Sequence, residues 1–93
     1  LLVIRKKIDI SKLMMQFADF AQFDHEKEKY YFVFEDRKRN GQWTLMNKDG
    51  EWTIHGKGEH YSDIDEKRLS EEDVLSFVWG NRGAVNEVIK ARE

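Results

Sequence analysis

The stretch Gly41-Gln42-Trp43-Thr44-Leu45-Met46-Asn47-Lys48-Asp49-Gly50-Glu51-Trp52-Thr53-Ile54-His55 decides the fold. It echoes itself: Gly41-Gln42-Trp43-Thr44-Leu45 returns nine positions later as Gly50-Glu51-Trp52-Thr53-Ile54. Two copies are too few for a solenoid, which needs about three to bury a continuous core. The shared pattern therefore reads as two neighbouring strands that face one core, reversed at Asn47-Lys48-Asp49-Gly50. Taken as a type I turn with Gly50 in the left-handed bulge position, that reversal sets Met46 opposite Trp52 and Thr44 opposite Ile54. Met46, Trp52 and Ile54 then share one face, and Trp43 and Leu45 lie on the other beside Thr53 and His55. A slip of one residue would exchange these sets, so the turn is decisive.

Upstream, Lys29 to Glu35 (KYYFVFE) is rich in aromatic and β-branched residues and reads as the first strand of the meander. Tyr30, Phe32 and Phe34 point one way, Tyr31 and Val33 the other. The Asn40-Gly41 pair is a hairpin signal and predicts the reversal into the next strand. Downstream, Gly56-Lys57-Gly58 predicts another reversal, and Glu59 to Ile64 a fourth, polar edge strand whose charges discourage edge-to-edge association.

The N-terminal residues Leu1 to Ile10 read as a short strand or an ordered arm. Ser11 has the chemistry of a helix N-cap, with Ile10 and Met15 at the spacing of a hydrophobic staple. Leu13, Met14, Phe17, Phe20 and Ala21 then recur at helical period. Asp24 to Glu28 forms the last turn of that helix or the loop beyond it. At the other end, Ser70-Glu71-Glu72-Asp73 is a capping box with an acidic residue in the reciprocal place, flanked by the staple pair Leu69 and Val74. Trp79-Gly80-Asn81-Arg82-Gly83 interrupts the pattern, since glycine costs about 1 kcal/mol in a helix interior. Val85, Val88 and Ile89 resume it.

These elements define a single α+β domain over residues 1–93. It has an N-terminal helix, a three- or four-stranded antiparallel β-meander, and one broken or two short C-terminal helices packed on the sheet. Phe17, Phe20, Phe32, Phe34, Trp52, Ile54, Val74, Val78 and Val85 are the predicted core.

Composition narrows the chemistry. The net charge of −2 gives no global attraction to nucleic acid or an anionic membrane. There is no cysteine, which excludes disulfides and thiolate chemistry. No apolar run is long enough to span a bilayer and none resembles a signal peptide, so the expected location is cytoplasmic. The chain begins Leu1-Leu2, which fits a trimmed chain or a bacterial start codon read literally.

No nucleophile motif, phosphate-binding glycine loop or dinucleotide fingerprint occurs. Glu35, Asp36, Asp63 and Asp65 are carboxylates without a recognisable acid–base partner. His55, Glu59, His60, Asp63 and Asp65 cluster in sequence, but without a metal-ligand spacing. The expectation is no enzyme, no metal and no cofactor. An aromatic-rich sheet points instead to a small interaction or regulatory domain, with Tyr30, Tyr31 and Trp43 as anchors for a protein partner or for self-association.

The alternative is a nucleic-acid-binding accessory protein. Residues Ser70 to Ile89 resemble the small repressor-type helix-turn-helix at Val74, Val78 and Val85, with Asn81, Arg82 and Asn86 where base-reaching side chains stand. The segment departs from that pattern at Leu75, where the family has a small residue, and at Gly80, where it has an apolar one. Arg37, Lys38 and Arg39 would add a basic hairpin tip. Glu71, Glu72, Asp73 and Glu87 on the same helices would repel phosphates.

Overall fold

The computed structural model describes residues 3–36, 41–58 and 67–92. In chain order the elements are α1 (Lys7–Met15), α2 (Phe17–Phe20), β1 (Gln22–Asp24), β2 (Lys29–Asp36), β3 (Gly41–Lys48), β4 (Glu51–Gly58), β5 (Lys67–Leu69), α3 (Glu71–Gly80) and α4 (Arg82–Ala91). The strands form one five-stranded antiparallel sheet in sequential order β1-β2-β3-β4-β5. The α+β meander is thus present, longer by β1 and β5 than the sequence indicated. The segment Glu59 to Ile64, expected as an edge strand, lies outside the described residues, as does the tip Arg37–Asn40.

The β3–β4 turn corrects the expected register. Lys48 pairs with Glu51, leaving a two-residue loop of Asp49 (φ 51°) and Gly50 (φ 85°). Both central residues are left-handed, which is the type I′ hairpin that matches strand twist; Asp tolerates this conformation and Gly adopts it freely. Asn47 and Lys48 stay in the strand. Leu45 therefore faces Ile54, Asn47 faces Trp52 and Trp43 faces Gly56, one residue away from the expected pairing.

Burial explains why this register wins. It sends Trp43, Leu45, Trp52 and Ile54 to the same face as Phe32 and Phe34, beneath the helices. Leu45, Ile54 and Trp52 are 2%, 5% and 6% exposed there. The bulged register would split them between two faces. Leaving even two such side chains in water forfeits about 3–6 kcal/mol, more than a difference in turn type supplies.

Gly56 is also reassigned: it lies inside β4 rather than at a reversal. A β-carbon there would sit 2.6 Å from the Trp43 ring, so the missing side chain is the space the indole occupies. Glycine in a strand interior often marks such a close approach.

The first helix starts earlier than Ser11. Asp9 Oδ2 accepts from the backbone N–H groups of Arg5 and Lys6 at 2.9 and 2.8 Å, satisfying donors at the helix start. Ser11 is an exposed position in mid-helix, and Met15 is 87% exposed, so no staple forms with Ile10. The inward stripe is Ile10, Leu13 and Phe17. β1 then doubles back on β2 through His25–Glu28, where Asp24 Oδ1 accepts from the N–H groups of Glu26 and Lys27. An aspartate that hydrogen-bonds the backbone two residues on is a standard turn device.

At α3 the expected capping box forms: Ser70 Oγ accepts from the Asp73 N–H at 3.1 Å, and Asp73 Oδ2 from the Ser70 N–H at 3.2 Å. Two helices follow, separated by Asn81 alone. Val74, Val78, Val85 and Ile89 point inward and join Phe32, Phe34, Leu45 and Trp52 in the core. Phe17 meets Trp52 edge-on at 4.9 Å, and Phe77 meets both Phe34 and Trp43. Every predicted core residue is buried except Phe20, which is half-buried against the same cluster.

Candidate interaction surface

The period-2 geometry of strands places Tyr31 and Val33 of β2, Thr44 and Met46 of β3, and Thr53 and His55 of β4 on the face opposite the aromatic core. Tyr31 stands directly across from Met46, Val33 from Thr44, Met46 from Thr53, and Thr44 from His55. The helices pack on the other face, against Phe32, Phe34, Leu45 and Trp52. Met46 is nonetheless only 5% exposed, while its five neighbours are half-buried. The result is a small apolar centre on a mixed polar sheet. Around it stand exposed Glu35, Gln42, Lys48, Glu51 and Arg68, with Glu51 and Arg68 joined as an exposed ion pair.

The three expected partner anchors do not share a surface. Tyr31 is on the helix-free face. Trp43 is on the helix side, its ring 5.0 Å from that of Phe77. Tyr30 is also on the helix side, half-buried and 4.9 Å from Phe23 of β1. Strand alternation alone separates Tyr30 from Tyr31, and the corrected register sets Trp43 across from Phe34 on the helix side. Half-buried Val33, which the sequence did not mark as a surface residue, takes its place beside Tyr31, and Met46 across from Tyr31 is buried. The alternation of β2 already held that signal for Val33.

Of the residues of the nucleic-acid alternative, those that the structure describes make local contacts. Arg37, Lys38 and Arg39 lie outside the described residues. Asn81 Nδ2 donates to the Phe77 carbonyl at 2.9 Å. Arg82 donates to the Trp79 carbonyl at 2.8 Å and stacks its guanidinium 4.2 Å from the Trp79 ring centre. Asn86 clasps the backbone of Ile4, accepting from its N–H at 2.7 Å and donating to its carbonyl at 3.0 Å. These side chains brace the helix junction and the N-terminal segment. The helix-turn-helix resemblance does not carry over to the geometry, because that motif joins its helices by a turn of about three or four residues.

Asp9 has its carboxyl held below the ordinary aspartate value by the Arg5 and Lys6 backbone N–H groups, a helix-start effect. His25 packs edge-on to Phe23 at 4.9 Å in the β1–β2 turn. Among the described residues, no three His, Cys, Asp or Glu side chains converge as a metal site. Glu59, His60, Asp63 and Asp65 lie outside them. No described helix is long and apolar enough to cross a membrane. Comparison with family models, with curated proteins and with solved structures found no significant match.

Proposed function

We propose that this chain is a non-catalytic protein-interaction domain that receives the apolar stripe of a partner helix on its helix-free sheet face. The observation that supports the reading is the adjacency of half-buried Tyr31 and Val33 beside buried Met46 on the face opposite the helix-packed core. Tyr31 and Met46 form a pair in which the side chains approach most closely, the non-hydrogen-bonded type of antiparallel pairing. A sheet face with an apolar centre is stabilised by a covering layer, and an amphipathic helix supplies one. Half-buried Tyr31 suits the centre of such a contact, with buried Met46 supporting it from the next strand, and the surrounding Lys, Glu and Arg form a polar rim.

A photo-crosslinking residue at Thr44, on this face, and another at Glu72, on the exposed side of α3, test the reading in cells of the source organism. Adducts with one protein are expected from Thr44 and not from Glu72. With that protein purified, Tyr31→Ser and Val33→Ser should each weaken binding by about tenfold, the effect of losing roughly 1.4 kcal/mol of contact. Equal adducts from both positions, a nucleic-acid adduct, or binding indifferent to both substitutions would remove the proposal.

A further inference from the structure

A separate surface lies along the outer edge of β2. β1 pairs only with Lys29, Tyr31 and the residue between them, so the rest of this eight-residue strand has no described neighbour on that side. The two-residue hairpin fixes which backbone groups face outward. Lys48 and Glu51 close the turn as a hydrogen-bonded pair, and such pairs alternate along an antiparallel ladder. Asn47, Leu45 and Trp43 therefore direct their backbone groups at Tyr30, Phe32 and Phe34 of β2. The N–H and C=O groups of Val33 and Glu35 therefore point away from β3, on the side where β1 pairs only with the start of β2.

Beside this edge runs a groove of about 380 Å³, walled by Val33, Phe34 and Glu35 on one side and Ala84, Val88 and Ala91 of α4 on the other. Val85 and Ile89 face the core, so the flank with Ala84, Val88 and Ala91 is the side of α4 turned toward the free edge. Arg92 lies at one end, its guanidinium 5.2 Å from the Phe32 ring. Glu35 and Glu87 line the same groove.

We infer that a second copy of this chain occupies the edge. The two β2 strands pair antiparallel about Phe34 and extend the sheet across a twofold axis. The register follows from the residues. Outward-facing groups must meet outward-facing groups, which leaves twofold axes at Val33, Phe34 or Glu35. An axis at Val33 sets Glu35 of the second copy opposite Tyr31, where β1 already sits. An axis at Glu35 brings two carboxylates face to face, which opposes pairing. An axis at Phe34 sets Val33 of each copy opposite Glu35 of the other, with their N–H and C=O groups exchanged.

That arrangement also brings the two α4 helices together, antiparallel, on one side of the extended sheet. Their small and apolar flanks meet there. The basic end of each groove, Arg92, comes toward the acidic wall of the other. Shape, backbone polarity and charge are thus self-complementary about one axis.

Light scattering over a wide concentration range tests this on the full chain. The mass should rise from 11.2 kDa toward twice that value with concentration. Val88→Glu should weaken dimerisation about a hundredfold or more, because two like charges meet near the axis, while circular dichroism stays unchanged. Tyr31→Ser, on the helix-free face, should leave dimerisation unaltered, which separates this inference from the partner-helix reading.

The chain has no cysteine, so engineered thiols report cleanly. An oxidised mixture of Val33→Cys chains and Glu35→Cys chains should cross-link as heterodimers, since hydrogen-bonded pairs hold their Cα atoms about 5.5 Å apart. Glu35→Cys chains alone should not. A monomer at every concentration, a dimer indifferent to Val88→Glu, or cross-linking of Glu35→Cys chains alone as efficient as that of the mixture would overturn the inference.

Discussion

Replacing Gly56 by alanine adds one carbon and, net, two hydrogens, and the structure predicts that the protein is measurably harmed. The added Cβ would lie 2.6 Å from one Trp43 ring carbon and 3.0 Å from another. The indole has little freedom to retreat, because it also packs on the core and meets the Phe77 ring at 5.0 Å, itself against Phe34. Overfilling a packed site costs about 1–3 kcal/mol. Against this, alanine reduces the conformational freedom of the unfolded chain and returns about 0.4–1 kcal/mol. The net is a loss of about 1–2 kcal/mol, or roughly 5–15 °C in Tm for a domain of this size.

The assay is urea and thermal unfolding of four proteins: wild type, Gly56→Ala, Trp43→Leu and the double variant. Once the indole is gone the alanine has room, so Gly56→Ala should be neutral or slightly stabilising in the Trp43→Leu background. The cycle should then show a coupling of about 1–2 kcal/mol. An alanine that is harmless in the wild type, or equally harmful in both backgrounds, would refute the Trp43–Gly56 pairing and the register that creates it.

Three other outcomes follow from local contacts. Asn86→Ala leaves the N–H and C=O of Ile4 without their partner in a half-buried setting, so it should destabilise by about 1–3 kcal/mol and accelerate amide exchange at Ile4. Ser70→Ala removes the hydroxyl that accepts from Asp73 and should cost about 1 kcal/mol by chemical denaturation. Asp9 should titrate below the ordinary aspartate range when followed by NMR, because its ionised form accepts two backbone hydrogen bonds. Its contribution to stability is then complete above the unfolded-state pKa and lost as pH falls through the lower folded value. In Asp9→Ala, that part of the acid dependence should disappear.

What could be read from residues alone was governed by the strength of local signals. The Ser70–Asp73 capping box, the helical period through Val74, Val78, Val85 and Ile89, and the aromatic run of β2 each have one dominant physical solution. They appear where expected. Asp49-Gly50 did not have one, because the same four residues support a bulged type I turn or a two-residue type I′ turn. The choice is made by burial of Trp43, Leu45, Trp52 and Ile54 under helices distant in sequence, a term no window around the turn contains. The start of α1 was misplaced because Ser11 is a good cap in isolation, whereas Asp9 reaches back to two N–H groups and begins the helix earlier. β1 was hidden by its length, since three residues give no alternation to detect. For the interaction surface, Tyr31 was legible and Met46 was not, because the register decides which face Met46 joins.

Cross-strand Hα–Hα Overhauser contacts in β3 and β4 test the central assignment most directly, since they arise at non-hydrogen-bonded pairs. Contacts between Asn47 and Trp52, Leu45 and Ile54, and Trp43 and Gly56 are predicted. Contacts between Met46 and Trp52 and between Thr44 and Ile54 would instead divide the tryptophans between two faces and contradict both surfaces assigned to this protein.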